Sequence, residues 1–302
     1  MTARTLRRRR YLLDSERFLA PTMMAPAVLY IVALVGFPFV LAILLAFSDA
    51  TVGNPGFDFV GFKTFSRILD DPVFRRALGN TFWFAVISNV LVVIFATILA
   101  KILVADFRGK WLVRFLVLLP WTTPVSLATI TWLWTLDSIF SPIDWILRNL
   151  GLISDNVYWL GKPGLAMSSV IAVHTWRIVP LAAVIVMAGL TAIPNEVKDA
   201  ADVDGARFWR KMFAIEIPLL APIIAVAVLF GFILTVTDIS VVFVLTRGGP
   251  THSTQVLASW AFIKGIEGGA LSQGAAIALF LFPVLVTVTA VILRLARRRE
   301  VL

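Results

Sequence analysis

Long runs of apolar residues dominate the chain. Six of these runs are long enough to cross about 30 Å of hydrocarbon as helices, and each is apolar on every side rather than alternating with polar residues. The runs cover residues 24–47, 81–104, 112–136, 165–190, 219–245 and 274–295. The pattern therefore predicts an all-α integral membrane protein with six transmembrane helices.

The distribution of basic residues predicts how these helices are oriented. Lys and Arg number 18 on the side that holds the N-terminus, residues 101–114, residues 191–216 and the C-terminal tail, and 9 on the other side. Because cytoplasmic loops carry the excess of Lys and Arg, both termini are predicted to be cytoplasmic. The expected organisation is a cytoplasmic segment 1–23, a six-helix domain 24–295 that includes a cytoplasmic loop 194–218, and a cytoplasmic tail 296–302.

Composition agrees with a membrane protein and excludes several kinds of enzyme. Of the 302 residues, 59% are hydrophobic and 15% are charged, against about 25% charged residues in soluble domains. The chain has no cysteine and two histidines, which excludes thiol chemistry and argues against a metal site. The motifs Gly-x-Ser-x-Gly and His-Glu-x-x-His are absent, so no catalytic residue and no metal ligand is predicted. The net charge of +9 follows from the orientation in the membrane and does not indicate nucleic acid.

The cytoplasmic loop 194–218 has the most specific pattern in the chain. Asn195 is a suitable N-cap for a short helix over residues 196–203, and Gly205 permits a sharp turn. An amphipathic second helix follows, and Pro218 is expected to restart the chain into the next span. Its apolar face comprises Phe208, Met212 and Ile215. Amphipathicity alone fits equally well a loop that rests on lipid headgroups.

The spacing in this loop favours a more specific interpretation. Three blocks form the pattern: Asp199-Ala200-Ala201, then Gly205, then Ile215-Glu216-Ile217-Pro218. They resemble the signature Glu-Ala-Ala, three residues, Gly, nine residues, Ile-x-Leu-Pro of permease subunits of binding-protein-dependent ABC importers, with Asp replacing Glu and Ile replacing Leu. Asn80-Thr81 and the sequence Leu-Thr-Arg-Gly-Gly-Pro at 245–250, followed by Thr254, resemble the carbohydrate-uptake branch, which includes maltose, trehalose and glycerol-phosphate permeases.

The resemblance implies a type I ABC importer permease fold in a bacterial or archaeal cell (inner) membrane. In such proteins the loop is a coupling helix that docks on a cytosolic ATPase. The implied coupling residues are Glu196, Asp199, Ala200, Ala201, Gly205, Ala206, Arg207, Phe208 and Trp209. Because this chain has no P-loop, no cofactor is expected on it, and ATP and Mg would be used by two separate ATPase subunits. A second, different permease subunit, an extracellular or periplasmic sugar-binding protein and membrane lipid are the other implied partners.

The implied function is import of a sugar or sugar derivative by alternating access, with a non-sugar polar solute as the alternative. Arg177 and Asp238 are charged residues inside predicted spans, where charge is costly. By resemblance to maltose-type permeases, sugar contacts fall at Arg177, Ile178, Leu181, Gly231, Thr235 and Asp238, and Trp176 is the best candidate for stacking on a sugar. An Arg177–Asp238 ion pair that braces two helices is the other interpretation of these two charges.

Overall fold

Helices make up most of the residues that the computed structural model describes, which are 16–299. Within that range the β pairing consists of an isolated bridge between Ser48 and Phe59. The arginine-rich stretch before residue 16 and the last three residues lie outside the described residues. The helices are α1 (Glu16–Ile31), α2 (Phe37–Ala46), α3 (Lys63–Asp70), α4 (Pro72–Val104), α5 (Lys110–Thr122), α6 (Val125–Thr135), α7 (Pro142–Asn149), α8 (Pro163–Ala192), α9 (Asn195–Val203), α10 (Phe208–Arg210), α11 (Ile217–Val236), α12 (Ser240–Leu245), α13 (Leu257–Phe262) and α14 (Leu271–Arg299).

Five helices of the described range are long and apolar enough to cross a membrane, and a bent pair would make a sixth crossing. Two of these spans consist of α-helical segments joined without a break by a π-helical turn, at residues 32–36 and 211–216. The five are Phe18–Ala46, Pro72–Val104, Pro163–Ala192, Phe208–Val236 and Leu271–Arg294. The second span begins at Pro72, before the predicted start at residue 81, and α14 runs on to Arg299, beyond the predicted end at residue 295. Polar turns at these two ends reach out of the hydrocarbon.

The predicted third span, residues 112–136, is not one straight helix. α5 and α6 meet at an angle of 96°. Thr123 and Pro124 between them are extended, with ψ of 136° and 125°, because a proline pushes the residue before it away from helical geometry. Hydropathy cannot detect this bend, since both halves are apolar.

The predicted fifth span, residues 219–245, also ends early. Its helix α11 stops at Val236, and a separate helix, α12, begins at Ser240. Asp238 accepts hydrogen bonds from the backbone N–H groups of Ser240 at 2.7 Å and Val241 at 3.4 Å. A carboxylate that satisfies the free N–H groups at the start of one helix favours a break before it.

The loops gather at two opposite ends of the bundle, as the charge pattern predicts. At one end, Val52 N–H donates to the Gly269 carbonyl at 2.9 Å and Ser272 N–H donates to that of Ala50 at 3.0 Å. The Asn80 side chain donates to the carbonyls of Ser253 and Gln255 at the same end. The C-terminal ends of α4 and α8 lie together at the other end, where Ala100 and Leu190 share one cluster of buried residues. The order of the spans therefore alternates as expected.

The centre of the bundle is formed by α4, α8 and α11. Small residues such as Ala96, Ala182 and Ala227 are buried there beside Val92 and Ile178. Small side chains let helices in a membrane approach closely. By contrast, the apolar side chains of the first span point outwards, and Met23 is 73% exposed. The first span therefore gains little from packing within this chain.

Candidate functional sites

The first half of the coupling segment, which we define as residues 194–218, is a short helix followed by a tight turn. Helix α9 starts at Asn195, so Asn195 is not the N-cap that its side chain suggested; Pro194 holds that position and offers no side-chain hydrogen bond. Gly205 has φ of +66°, which confirms the predicted turn, since this conformation favours glycine. Ala206 N–H closes the turn by donating to the Ala201 carbonyl at 2.9 Å.

The second half of the coupling segment runs without interruption into the membrane. α10, a π-helical turn over residues 211–216 and α11 form one helix, Phe208–Val236. The prediction that Pro218 restarts the chain is therefore wrong. The wider π-helical turn directly before Pro218 opens the helix where the proline ring would otherwise meet a carbonyl of the preceding turn. The coupling segment is therefore continuous with α11.

The surface of the coupling segment is apolar at several exposed positions. Val203 is 88% exposed, Trp209 65% and Phe208 58%, and Trp209 stacks on Phe213 with ring centres 5.9 Å apart. Of the residues implied in coupling, Ala201 is buried, Ala206 is half-buried and the following are exposed: Glu196, Asp199, Ala200, Gly205, Arg207, Phe208 and Trp209. Large apolar side chains concentrated on one loop mark a surface that another protein can cover.

Polar contacts fix this segment to its own chain. Lys211 Nζ bridges both carboxylate oxygens of Asp202 at 2.9 Å, which ties the two halves of the segment together. Lys198 Nζ donates to the carbonyl of Leu190, near the end of α8, at 3.4 Å. The segment is thus attached to α8 on one side and continuous with α11 on the other.

A second group of polar residues lies between α8 and the end of α11; we call His174, Arg177, Thr235 and Asp238 the polar cluster. Arg177 Nη2 donates to Asp238 Oδ2 at 2.7 Å. His174 Nδ1 lies 3.2 Å from the same oxygen and Nε2 lies 2.8 Å from Thr235 Oγ1. The Thr235 hydroxyl donates to the Gly231 carbonyl at 2.6 Å, so it links His174 to the backbone of α11. Of the residues predicted for the substrate route, Arg177 contacts Asp238 directly, and His174 links Thr235 to the same carboxylate.

Sequence reasoning missed His174, which is fully buried. The low number of histidines argues against a metal site and gives His174 no other role. The available signal was its spacing: residues three apart share one face of a helix, so His174 and Arg177 point in the same direction from α8. Because Asp238 also caps α12, both of its oxygens are occupied within the chain.

The other residues implied in the substrate route lie in different surroundings. Trp176 is 38% exposed and packs edge-on against Trp132 with ring centres 5.5 Å apart, whereas Ile178 is buried in the central core. Leu181 is half-buried. At Gly231 an added Cβ would lie 2.6 Å from the Asn89 side-chain oxygen, so this glycine lets α11 approach α4.

A cavity of about 830 Å³ opens beside Trp176. Its walls come from α4, α5 and α8 and are mainly apolar, with Thr175 as a polar exception. The residues that line it include Leu91, Phe95, Leu116, Pro120, Thr175, Trp176 and Val179. His174 and Arg177 of the polar cluster and the exposed Trp176 thus lie on α8, which forms part of the wall of this cavity.

Five long apolar helices and a bent pair are typical of a multi-pass membrane protein. The sequence profile of the family described as "Binding-protein-dependent transport system inner membrane component" matches residues 92–301. The chain belongs to this family. It is therefore a multi-pass inner-membrane protein and a permease subunit.

Relatives and solved structures agree with this family. The chain is 30% identical over 293 residues, 96% of its length and 94% of the relative's, to the sulfoquinovosyl glycerol transport system permease protein SmoG of Agrobacterium fabrum. It is 31% identical over 242 residues, 80% of its length and 81% of the relative's, to the trehalose/maltose transport system permease protein MalF of Thermococcus litoralis.

Two crystal structures show the same fold. One is a bacterial ABC transporter involved in the import of the acidic polysaccharide alginate, with a TM-score of 0.81 at 20% identity, covering 95% of this chain and 97% of that chain. The other is the bacterial alginate ABC transporter in complex with an alginate pentasaccharide-bound periplasmic protein, with a TM-score of 0.80, 20% identity and the same coverage. The fold is that of a type I ABC importer permease.

Proposed function

We propose that this permease subunit imports a sugar or sugar derivative and is driven by a separate ATPase through the coupling segment. The observation that carries the proposal is the placement of that segment. It is exposed and apolar, and it is joined directly to α8 and α11, the two helices that hold the polar cluster. A partner that displaces the coupling segment therefore also moves α8 and α11, and with them the polar cluster that lies between these two helices.

The mechanism is alternating access of the helices around a central route. Val197 of α9 packs with Ile193 and Leu220 in the cluster of buried residues at the ends of α8 and α11. When an ATPase dimer closes, a segment attached in this way moves as a unit with both helices. The tilt of α8 and α11 then exposes the route first to one side of the membrane and then to the other.

Arg177 is the residue we assign to the substrate. Its side chain is 16% exposed, and its buried Nε has no hydrogen-bond partner within the described residues. Guanidinium N–H groups donate to paired hydroxyl or acidic oxygens, and Trp176 one residue earlier offers an apolar ring face. Asp238, which also contacts His174, holds Arg177 in place, so the bracing interpretation and the substrate interpretation both apply to this ion pair. Leu181, Gly231 and Thr235 complete the proposed route.

The assembly we propose contains a second permease subunit, two ATPase subunits and an external sugar-binding protein. The outward-facing apolar residues of the first span provide a surface for the second permease within the lipid. Val203 and Trp209 on the coupling segment provide a surface for the ATPase, which would bind the ATP and Mg. The sugar class rests on relatives named for sulfoquinovosyl glycerol and for trehalose and maltose.

Purification through a tag on this chain tests the proposal. We expect an ATPase and a second permease to co-purify, and the reconstituted complex to hydrolyse ATP faster when the external binding protein and its sugar are added. A panel of neutral and acidic sugars, with amino acids and peptides as controls, identifies the ligand of the binding protein. Absence of an ATPase from the complex would overturn the coupling role, and stimulation by a non-sugar solute would overturn the substrate class.

A further inference from the structure

A lysine near the end of α4 contacts the coupling segment twice. Lys101 lies in the last turn of α4, and its ammonium group forms an ion pair with Glu216, which is 115 residues later in the chain. The same ammonium group lies 4.6 Å from the centre of the Phe208 ring. Phe208 begins α10 and Glu216 ends the π-helical turn. One side chain therefore contacts both ends of this part of the coupling segment.

The ion pair is largely removed from water. The Lys101 side chain is 20% exposed and that of Glu216 is 11% exposed. By contrast, in the pair between Lys110 and Asp106 the aspartate is 97% exposed. Exposed pairs contribute about 0–1 kcal/mol, whereas removal of one partner from a buried pair leaves a costly unpaired charge. Lys101 and Glu216 therefore constrain each other more strongly than a surface pair does.

The surroundings of the pair connect three helices. Ala100, next to Lys101, and Leu220, one turn after Glu216, belong to one cluster of buried residues that also contains Leu190 of α8. A lysine at this level of a membrane helix ordinarily extends to the lipid headgroups. Here the Lys101 side chain turns instead towards the carboxylate of Glu216. Glu216 occupies the variable position of the Ile-x-Ile-Pro motif at residues 215–218. Because the residues next to this ion pair are closely packed, we expect Lys101 and Glu216 to move together.

We propose that Lys101 is a positioning residue that fastens α4 to the coupling segment, so that movement of the segment carries α4 along with α11. This inference rests on the proposed coupling function. α4 forms one wall of the cavity beside Trp176, and Asn89 of α4 lies against Gly231 of α11. Movement of α4 together with α11 preserves this contact while the cavity changes shape.

The test measures the ratio of solute transported to ATP hydrolysed by the complex reconstituted in vesicles. Lys101→Met and Glu216→Gln are each expected to lower this ratio about fivefold or more, as for a typical coupling between sites. The double variant should resemble either single variant, because both remove the same interaction. Lys101→Arg, which keeps the charge, should stay within about twofold of the wild type. Lys110→Met is the matched control, since its partner is exposed.

The outcomes separate this inference from the proposed function. A wild-type complex without stimulated ATP hydrolysis would refute the proposed function itself. A coupled wild-type complex, with Lys101→Met showing an unchanged transport ratio and only lower yield or thermal stability, would refute the inference and leave the function intact.

A covalent link provides a second test in case the charge variants assemble poorly. Lys101→Cys with Glu216→Cys can be joined by a short, reducible bis-methanethiosulfonate reagent, because the chain has no other cysteine. We expect the linked complex to recover the transport ratio that the unlinked form has lost, and reduction to abolish that recovery. A linked complex no better than the unlinked one would show that α4 and the coupling segment need not move together.

Discussion

Replacement of Asp238 should destabilise the protein more than replacement of Arg177, although the two form one ion pair. Asp238 accepts hydrogen bonds from Arg177, from His174 and from the backbone N–H groups of Ser240 and Val241. Arg177→Met therefore leaves the carboxylate with most of its donors. Asp238→Asn, by contrast, leaves a largely buried guanidinium group without a counter-charge.

The burial of the pair sets the magnitude of this difference. The Arg177 side chain is 16% exposed and that of Asp238 is 5% exposed. Breaking a buried pair costs about 3–5 kcal/mol, whereas one polar contact between membrane helices averages about 0.6 kcal/mol. We expect about 1–2 kcal/mol for Arg177→Met and about 3 kcal/mol for Asp238→Asn. Asp238→Ala should cost about 1 kcal/mol more than Asp238→Asn, because the cap of α12 is lost as well.

A double-mutant cycle measures these differences. The double variant, Arg177→Met with Asp238→Asn, has no unpaired charge and should cost less than the sum of the single variants. Thermal unfolding of the assembled complex in lipid nanodiscs gives the order of stability, and uptake is measured on the same set. The exposed pair Lys110 and Asp106 serves as the control, with an expected effect below about 1 kcal/mol. Equal costs for Arg177→Met and Asp238→Asn, or strict additivity, would refute the role given to His174 and the α12 cap.

Three further predictions follow from single positions. Gly205→Trp should leave the protein in the membrane but uncouple uptake from ATP hydrolysis. Gly205→Asn should retain coupling, because asparagine tolerates positive φ. Gly109→Trp is the control, because Gly109 also has positive φ and open space around its Cβ position. Normal uptake by Gly205→Trp would contradict the coupling assignment. Arg207→Cys should be protected from a membrane-impermeant maleimide applied outside intact cells and Lys264→Cys should be labelled; the reverse pattern would invert the topology. Gly231→Ala should lower thermal stability by about 1–3 kcal/mol through overpacking against α4, and an unchanged melting temperature would show that α11 can move aside.

The sequence by itself determined the membrane class, the order of the spans and the position of the coupling segment. Backbone polar groups in hydrocarbon must be satisfied within the helix, so long apolar runs permit one kind of structure and are recognisable without any partner. The turn at Gly205 was equally local, since a positive φ there depends on the residue itself. The spacing of Asp199, Ala200 and Ala201 from Gly205 likewise needs no information from elsewhere in the chain.

Tertiary structure decided where the spans bend and which charges meet. The 96° angle between α5 and α6 and the break after Val236 fall at short polar stretches, residues 122–124 and 237–238, inside long apolar runs. The average hydropathy of these runs does not show them. His174 joins Asp238 across 64 residues of sequence, and Lys101 joins Glu216 across 115. Such pairs exist only because packed helices bring distant residues to one place. The arrangement of the helices therefore decides which residue pairs with His174 and which with Lys101, and no local sequence pattern predicts these two partners.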